Sequence, residues 1–479
     1  MAEPITKKIM LMASHDWSMR ATMRTFIEWL DPTIHHGKKT YKITLGRIIA
    51  KPLLCGRDLS QEADLIVDRT VHWNSFYKFW AQQAINSQMS IANHPNTFQN
   101  QDKHSTYDLM ARSMHPADRF PKTILLPQFS PYTQDQKMQE FWDYRQKLII
   151  DNTKFGFDDT RKEVNWEKVN TSYDRSIRFE KKAQLVREHF YYSGNYIEET
   201  VRDVFDYKFP LYLKKAFGGG GSDVYKINSL EELYQQYDET GGRTFHLQEA
   251  IENYDIFIRC MAIGPQVLPM EFLPDKPLHE HYGSNKLRVD QELYHRLSTY
   301  VKFINAFHRW TYNSFECIIK EGKIHPIDFA NACPDSNFTS LHVHFPWLIC
   351  SLVRWFTYCA VTGKDMQIDL NQKEYLDVIN DPKKSALEKF EHYRTLSDNY
   401  FEIDKFNDFV ARNFADLDQQ MIKFYDEGHF KPIIEFAIEM SDFPQHEQGK
   451  FFRAYQHTMD TIWRPNAEEY LTTVLYSGK

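Results

Sequence analysis

A run of glycines, Gly218, Gly219, Gly220 and Gly221, follows a candidate strand ending on Lys214 and precedes Ser222 and a second candidate strand, Val224–Ile227. Without Cβ atoms, the N–H groups of such a loop can close over a phosphate chain, and a lysine at the strand end sets a fixed charge beside it. A flexible glycine linker is the structural alternative. Farther along, Glu316 and Asp328 stand twelve residues apart on two candidate strands, Ser314–Lys320 and Lys323–Ala330, that turn at Glu321-Gly322. Antiparallel pairing about that turn brings the carboxylates near each other, where they repel unless a cation lies between them. Asn331 adds a neutral oxygen, and an oxygen-only set suits Mg2+ or Mn2+ rather than zinc. Alternation puts Ile324, Pro326 and Asp328 on one face and His325, Ile327 and Phe329 on the other. A solvent-facing hairpin is the alternative, and Phe315, Ile318, Ile327 and Phe329 argue for burial instead.

Other candidates complete what an ATP site requires: cations, a groove for adenine, an acceptor for ribose hydroxyls and carboxylates for magnesium. Lys103, in Gln101-Asp102-Lys103, offers a second cation, or simply opens a helix capped by Asp102. The strand Phe245–Ile251 carries Gln248 and Glu249 and leads to Asp255. Backbone groups after Glu249 can bond adenine edges and Asp255 can accept from ribose; a strand end with a solvated acid is the alternative. Arg259, Lys286 and Arg288 can neutralise a transferring phosphoryl group. Arg259 lies inside an apolar strand, which demands an anionic partner, whether a ligand or a structural acid. Asp275–Arg288 reads as a mobile loop that could close over substrate, or as a plain surface loop. Arg69, His72 and Trp73 follow the strand Ala63–Val67, and ligands of open α/β sheets bind beyond strand carboxyl ends, so these residues are candidates for holding a substrate carboxylate.

The elements that position these residues fall into four blocks. Residues 1–127 alternate strands (Ile9–Met12, Ala63–Val67, Met89–Ala92, Pro121–Pro127) with helices (Arg20–Leu30, Asn74–Asn86, Lys103–Ser113), predicting a small open α/β domain. Residues 128–208 read as a mostly helical insertion or linker, 209–340 as a strand-rich region, and 341–479 as a helical extension with its clearest helices at Trp347–Val361, Phe406–Tyr425 and Pro432–Met440. A net charge of −7 gives no reason to expect a nucleic-acid partner. No apolar run is long enough to span a membrane, and the N-terminus lacks a signal-peptide pattern. The six cysteines show no CxxC pair, which predicts free thiols in a reducing cytoplasm, and the 20 histidines form no zinc motif.

In this order along the chain, the set resembles the ATP-grasp superfamily from about residue 60 to about residue 335: Asp68-Arg69, Asp102-Lys103, Phe209–Lys214, the glycine loop, Gln248-Glu249, Asp255, and the hairpin with Glu316, Asp328 and Asn331. The resemblance implies an ATP-grasp fold, mixed α/β and α+β, with an N-terminal open α/β (pre-ATP-grasp) domain and a helical C-terminal extension. It implies two lobes clamping ATP, with Lys103 and Lys214 on phosphates, the glycine loop as lid, Glu249 at adenine, Asp255 at ribose, and Glu316, Asp328 and Asn331 on Mg2+. The implied chemistry is attack of a carboxylate on the γ-phosphate and capture of the acyl phosphate by an amine, with small-molecule carboxylate and amine substrates of the amino-acid or peptide class. Homodimers are common in this superfamily. A small-molecule kinase and a degenerate nucleotide-binding regulatory protein are the alternative readings. Three departures stand out: Asp328-Phe-Ala-Asn331 carries one residue more than the family's usual Glu-x-Asn, so Asn331 needs a bulge to realign it; Lys215 stands where many members have proline, so it competes with Lys214 for the phosphate role, and the distance from Pro210 favours Lys214; and residues 128–208 and the C-terminal region exceed the minimal family pattern.

Overall fold

The computed structural model describes residues 3–13, 16–71, 74–93, 95–99, 103–126, 157–158, 163–164, 197–216, 223–239, 244–364 and 369–477. The chain forms two units, Met1–Phe120 with Ile251–Lys479, and Pro121–Ala250.

The first unit opens with a five-stranded sheet of β1 (Ile5–Met12), β2 (Thr33–His36), β3 (Lys39–Arg47), β4 (Leu65–Asp68) and β5 (Ile91–Ala92), ordered β2-β3-β1-β4-β5. β1 runs parallel to both β3 and β4, so the strand order reverses at β1. Helix α1 (Trp17–Leu30) buries Met19, Met23, Phe26 and Ile27, the spacing of one helical face. Helix α2 (Ser75–Asn86) starts where the Asn74 side chain accepts from the N–H groups of Phe76 and Tyr77, and α3 (Lys103–Ala111) follows. The expected strands and helices of this region are present with shifted ends; the hairpin β2–β3 was not anticipated, although Ile34, Tyr41 and Ile43 are the buried positions that hold it to the core.

The second unit is built on a four-stranded sheet of β6 (Thr123–Leu126), β7 (Leu211–Lys215), β8 (Val224–Ile227) and β9 (Phe245–Glu249), ordered β8-β7-β9-β6. Helix α4 (Leu230–Glu239) places Leu233 and Tyr237, four residues apart, into a core with Val201, Leu211, Leu213 and Leu247. The proline-bracketed strand expected in the first block therefore belongs here, because it finds its hydrogen-bond partner in β9, and the stretch 209–340 divides after Ala250. Most of the expected helical block 128–208 lies outside the described residues.

The remaining sheet belongs to the first unit. It comprises β10 (Ile256–Ile263), β11 (Gln266–Glu271), β12 (Tyr312–Lys320) and β13 (Lys323–Asn331), all antiparallel and ordered β11-β10-β12-β13. Gly264 makes the β10–β11 turn at φ +56°, and a Cβ there would collide with the Trp355 ring. Helix α5 (Gln291–His308) is capped by Asp290. Helix α6 (Phe345–Thr362), mostly apolar and buried along nearly its whole length, packs against β1, β4 and β10 and is the shared core of the two sheets. The expected helix Phe406–Tyr425 is two helices, Ile403–Asn413 and Leu417–Asp426, interrupted at Phe414. Among the described residues no helix is long and apolar enough to cross a membrane.

Candidate functional site

The hairpin β12–β13 carries the expected carboxylate pair. Glu316 sits directly opposite Asp328; an unbroken ladder from the Lys320–Lys323 pair would set it opposite Ile327, so the pairing depends on a bulge. Both turn residues have positive φ, +52° and +70°, the backbone of a tight hairpin turn. The ladder is irregular on either side of the pair. From Ser314 to Glu316, β12 advances two residues while β13 takes three, from Asn331 back to Asp328; from Glu316 to Cys317, one residue of β12 faces two of β13. Residues directly opposite each other share a face. The first bulge therefore brings Asn331, opposite Ser314, onto the face of Glu316 and Asp328, absorbing the extra residue. The second corrects the expected alternation: Asp328 does not share a face with Ile324 and Pro326, because Pro326 pairs with Cys317 on the opposite, buried face. Pro326 lacks an N–H and lies on an edge strand, where such bulges are tolerated.

Two cations meet this face. Arg259 on β10 lies opposite Glu316, with Nε 3.3 Å from Oε1. Its Nη2 is 3.4 Å from the Ser314 hydroxyl, and its guanidinium stacks 5.2 Å from the Phe272 ring centre. Burial works against its charge, but Tyr282, Glu316, Asp335 and Asp328 hold its pKa above the usual arginine range. From the other side, helix α3 presents Lys103 and Tyr107, one turn apart. Lys103 Nζ lies 2.6 Å from Asp328 Oδ2, and the Tyr107 hydroxyl donates to the Ile327 carbonyl at 2.9 Å, tying the helix to the bulge. Burial lowers the Lys103 pKa, but Asp328 and Glu316 outweigh it and the net shift is upward. The side chains of Lys103, Arg259, Glu316 and Asp328 keep 13, 13, 20 and 28% of their surface exposed, so the cluster is partly open to solvent.

Among the described residues no three His, Cys, Asp or Glu side chains gather as a metal site. Two carboxylates with an amide oxygen on the same face are nevertheless a donor set that fits Mg2+, which completes its shell with water and substrate phosphates.

In the second unit, Lys214 Nζ lies 2.7 Å from Oε1 of the buried Gln248, whose Nε2 donates to Thr123 Oγ1 at 2.9 Å. Lys215, on the opposite face of β7, pairs with Asp223 at 3.1 Å. Gln248 thus helps to orient Lys214. Glu249 closes the sheet end: its N–H donates to the Lys122 carbonyl at 2.9 Å and its carboxylate accepts from the Lys122 N–H at 3.2 Å. Gly218–Gly221 and Ser222 lie outside the described residues, as do His72 and Trp73.

The structure gives other candidates different work. Arg69 is buried, bonded to Asp16 through Nε at 2.9 Å and Nη2 at 3.1 Å, to the Pro334 carbonyl and to Ser336 Oγ, and stacked 4.3 Å over Tyr312. It ties the end of β4 to Asp16 and to the Pro334–Ser336 segment. Asp255 accepts from the Glu321 N–H at 2.7 Å, stabilising the positive-φ turn rather than standing ready for a ribose. Arg288 pairs with both oxygens of Glu469 at 3.0 Å, and Lys286 donates to the Thr472 and Tyr470 carbonyls, so neither joins the carboxylate pair. Burial lowers the Lys286 pKa to about 7. The loop expected to be mobile is fastened: Tyr282 and Gly283 carbonyls meet the rings of buried His342 and His344 at 3.0 and 2.9 Å, and the Ser284 carbonyl accepts from Tyr470.

Sequence reading passed over Tyr107 and Ser314. Tyr107 stands four residues after Lys103, a helical spacing that could have flagged it. It also passed over Asp68 as a side chain: this buried carboxyl at the end of β4 accepts from the Thr70 and Val71 N–H groups, and burial pushes its pKa up to about 7 against those bonds.

No known family matches the sequence, and no curated protein matches it. Solved structures do. A RimK domain protein ATP-grasp from Sphaerobacter thermophilus is 10% identical, over 68% of this chain and 92% of that one, at a TM-score of 0.40. D-alanine–D-alanine ligase from Bacillus anthracis complexed with ATP is 12% identical over 82% and 99%, at 0.38. The ATP-grasp ligase PsnB complexed with minimal precursor, Mg and ADP is 9% identical over 70% and 91%, at 0.38. The solved structures similar to this chain thus include ATP-grasp proteins; with TM-scores below 0.5, the functional reading rests on the side chains.

Proposed function

We propose that this protein is an ATP-dependent carboxylate–amine ligase of ATP-grasp type. The observation that carries the proposal is the bulged hairpin, which sets Glu316, Asp328 and Asn331 on one face with Lys103 and Arg259 beside them. Glu316, Asp328 and Asn331 would hold Mg2+, which when bound neutralises phosphate charge. Lys214, oriented by Gln248, binds phosphate oxygens, with Gly218–Ser222 as the backbone cradle. Arg259 is fixed by Glu316 and Ser314, a preorganised cation of the kind that stabilises a transferring phosphoryl group. The substrates are a small carboxylate, activated as its acyl phosphate, and an amine of the amino-acid or peptide class. All six cysteines are free thiols, which suits the reducing cytoplasm.

The bulge bears on the degenerate reading, because the extra residue before Asn331 no longer displaces it from the carboxylate face. The test is turnover with carboxylate and amine panels, reading ADP, phosphate and transfer of 18O from the labelled carboxylate to phosphate. Label in free phosphate, dependent on ATP and the carboxylate, is the expected result. Phosphate retained on the acceptor would instead identify a kinase, and Mg-ATP binding without any turnover would identify a regulatory protein.

A further inference from the structure

We infer that Lys103 is a displaceable counter-ion that keeps the carboxylate pair closed to free metal, so that the divalent ion enters only with a polyphosphate; this rests on the proposed nucleotide site. Each carboxylate of the pair already has its own cation: Arg259 lies 3.3 Å from Glu316 and Lys103 2.6 Å from Asp328. The two cations differ in freedom. Arg259 is a residue of a central strand, stacked against Phe272 and Tyr282, and its guanidinium cannot leave without breaking that packing. Lys103 lies on the helix Lys103–Ala111, outside the sheet, and its unbranched stem reaches Asp328 from there. Tyr107, one turn on, anchors the helix to the Ile327 carbonyl, so the ammonium can swing while the helix stays.

A divalent ion bound to Asp328 and Glu316 would stand beside the Lys103 ammonium, and like charges at such distance repel strongly in a partly buried setting. Magnesium must therefore expel Lys103, and it also sheds its water reluctantly. Phosphate oxygens supply what the expelled ammonium needs, a new anionic partner. Metal and nucleotide binding are then coupled, each strengthening the other by the same factor. Without a polyphosphate, Lys103 wins the carboxylate.

Mn2+ binding to the full chain, followed by electron paramagnetic resonance without nucleotide, tests this directly. The native chain should show only weak binding. Lys103→Met should tighten nucleotide-free Mn2+ binding by about tenfold or more, a change of about 1.4 kcal/mol. Lys103→Arg, which keeps the charge, should leave it weak, and adding Asp328→Asn to Lys103→Met should abolish the gain. Tight Mn2+ binding by the native chain, or no tightening in folded Lys103→Met, overturns the inference. The native measurement decides even if the methionine variant does not fold. Calorimetry with Mg-ATP is run in parallel: absence of nucleotide binding sinks the ligase proposal, whereas normal nucleotide binding with unchanged Mn2+ affinity sinks only the role of Lys103.

Discussion

Two ion-pair clusters in the first unit use the same chemistry for opposite ends. In one, Arg69 keeps 1% of its side-chain surface exposed and Asp16 10%, and the guanidinium is further bonded to Ser336 and the Pro334 carbonyl. In the other, Lys103–Asp328 and Arg259–Glu316 retain between 13 and 28% exposure. A bidentate arginine with every neighbour fixed is a lock: nothing can replace either partner without leaving a buried charge behind. A lysine on a partly exposed carboxylate is an exchangeable contact. The difference between the clusters, rather than the presence of charge, separates the structural cluster from the one proposed to do chemistry.

The comparison breaks most visibly at Arg69. Arg69→Met should cost about 3–5 kcal/mol of stability by stranding Asp16, which denaturant unfolding will measure. If stability hardly changes, the lock is not a lock and Arg69 returns as a ligand candidate. Asp328→Asn should do the reverse. It removes the carboxylate charge proposed to hold the metal with little change in volume, so turnover should fall below detection while the midpoint of unfolding moves far less than for Arg69→Met. An active Asp328→Asn enzyme would remove this residue from the site.

How far this contrast could be read from sequence differs between the clusters. The nearness of the carboxylates was legible because a tight turn folds the two strands together, but an unbroken ladder opposes Glu316 to Ile327, and only the bulge sets it opposite Asp328. The face they share was not, because a bulge shifts the period by one and alternation then gives the wrong answer; Pro326 within the strand was the one available warning. Arg69 followed a strand end, where ligands often bind, and only three-dimensional proximity to Asp16, Pro334 and Ser336, up to 267 residues away in sequence, reveals that it is consumed by structure. The partners of Asp255 and Arg288, Glu321 and Glu469, are likewise remote in sequence. Apart from the hairpin β2–β3, the alternation of strands and helices in the N-terminal region was visible from hydrophobic pattern, as was the strand pair flanking the glycine loop, while assignment of β6 to the second unit needed its partner strand.

The second unit offers a smaller version of the same contrast within a single strand. Lys214 rests on the neutral Gln248 and Lys215 on the charged Asp223. An ammonium held by an amide gives up less to bind phosphate than one held by a carboxylate. Lys214→Ala should therefore raise the ATP concentration needed for half-maximal turnover by about tenfold or more, and Lys215→Ala by much less; the opposite ranking would transfer the phosphate role to Lys215.

Lys286 supplies the weakest effect and a third kind of cation, one whose hydrogen bonds go to backbone carbonyls of the C-terminal segment. Burial lowers its pKa to about 7 from an ordinary 10.5, with Glu469 only partly offsetting the shift. Between those values the unfolded chain binds the proton that the folded chain has released, so this residue makes stability rise with pH across that interval and leaves it flat below. Unfolding curves of the native protein and Lys286→Met, compared from pH 6 to pH 9, about the span in which both remain tractable, should diverge above pH 7 in favour of the native chain. Parallel curves would mean that Lys286 stays charged in the fold, and that even a cation bonded to carbonyls is held by its distant acid, as the partly exposed pair at Asp328 is held by its near one.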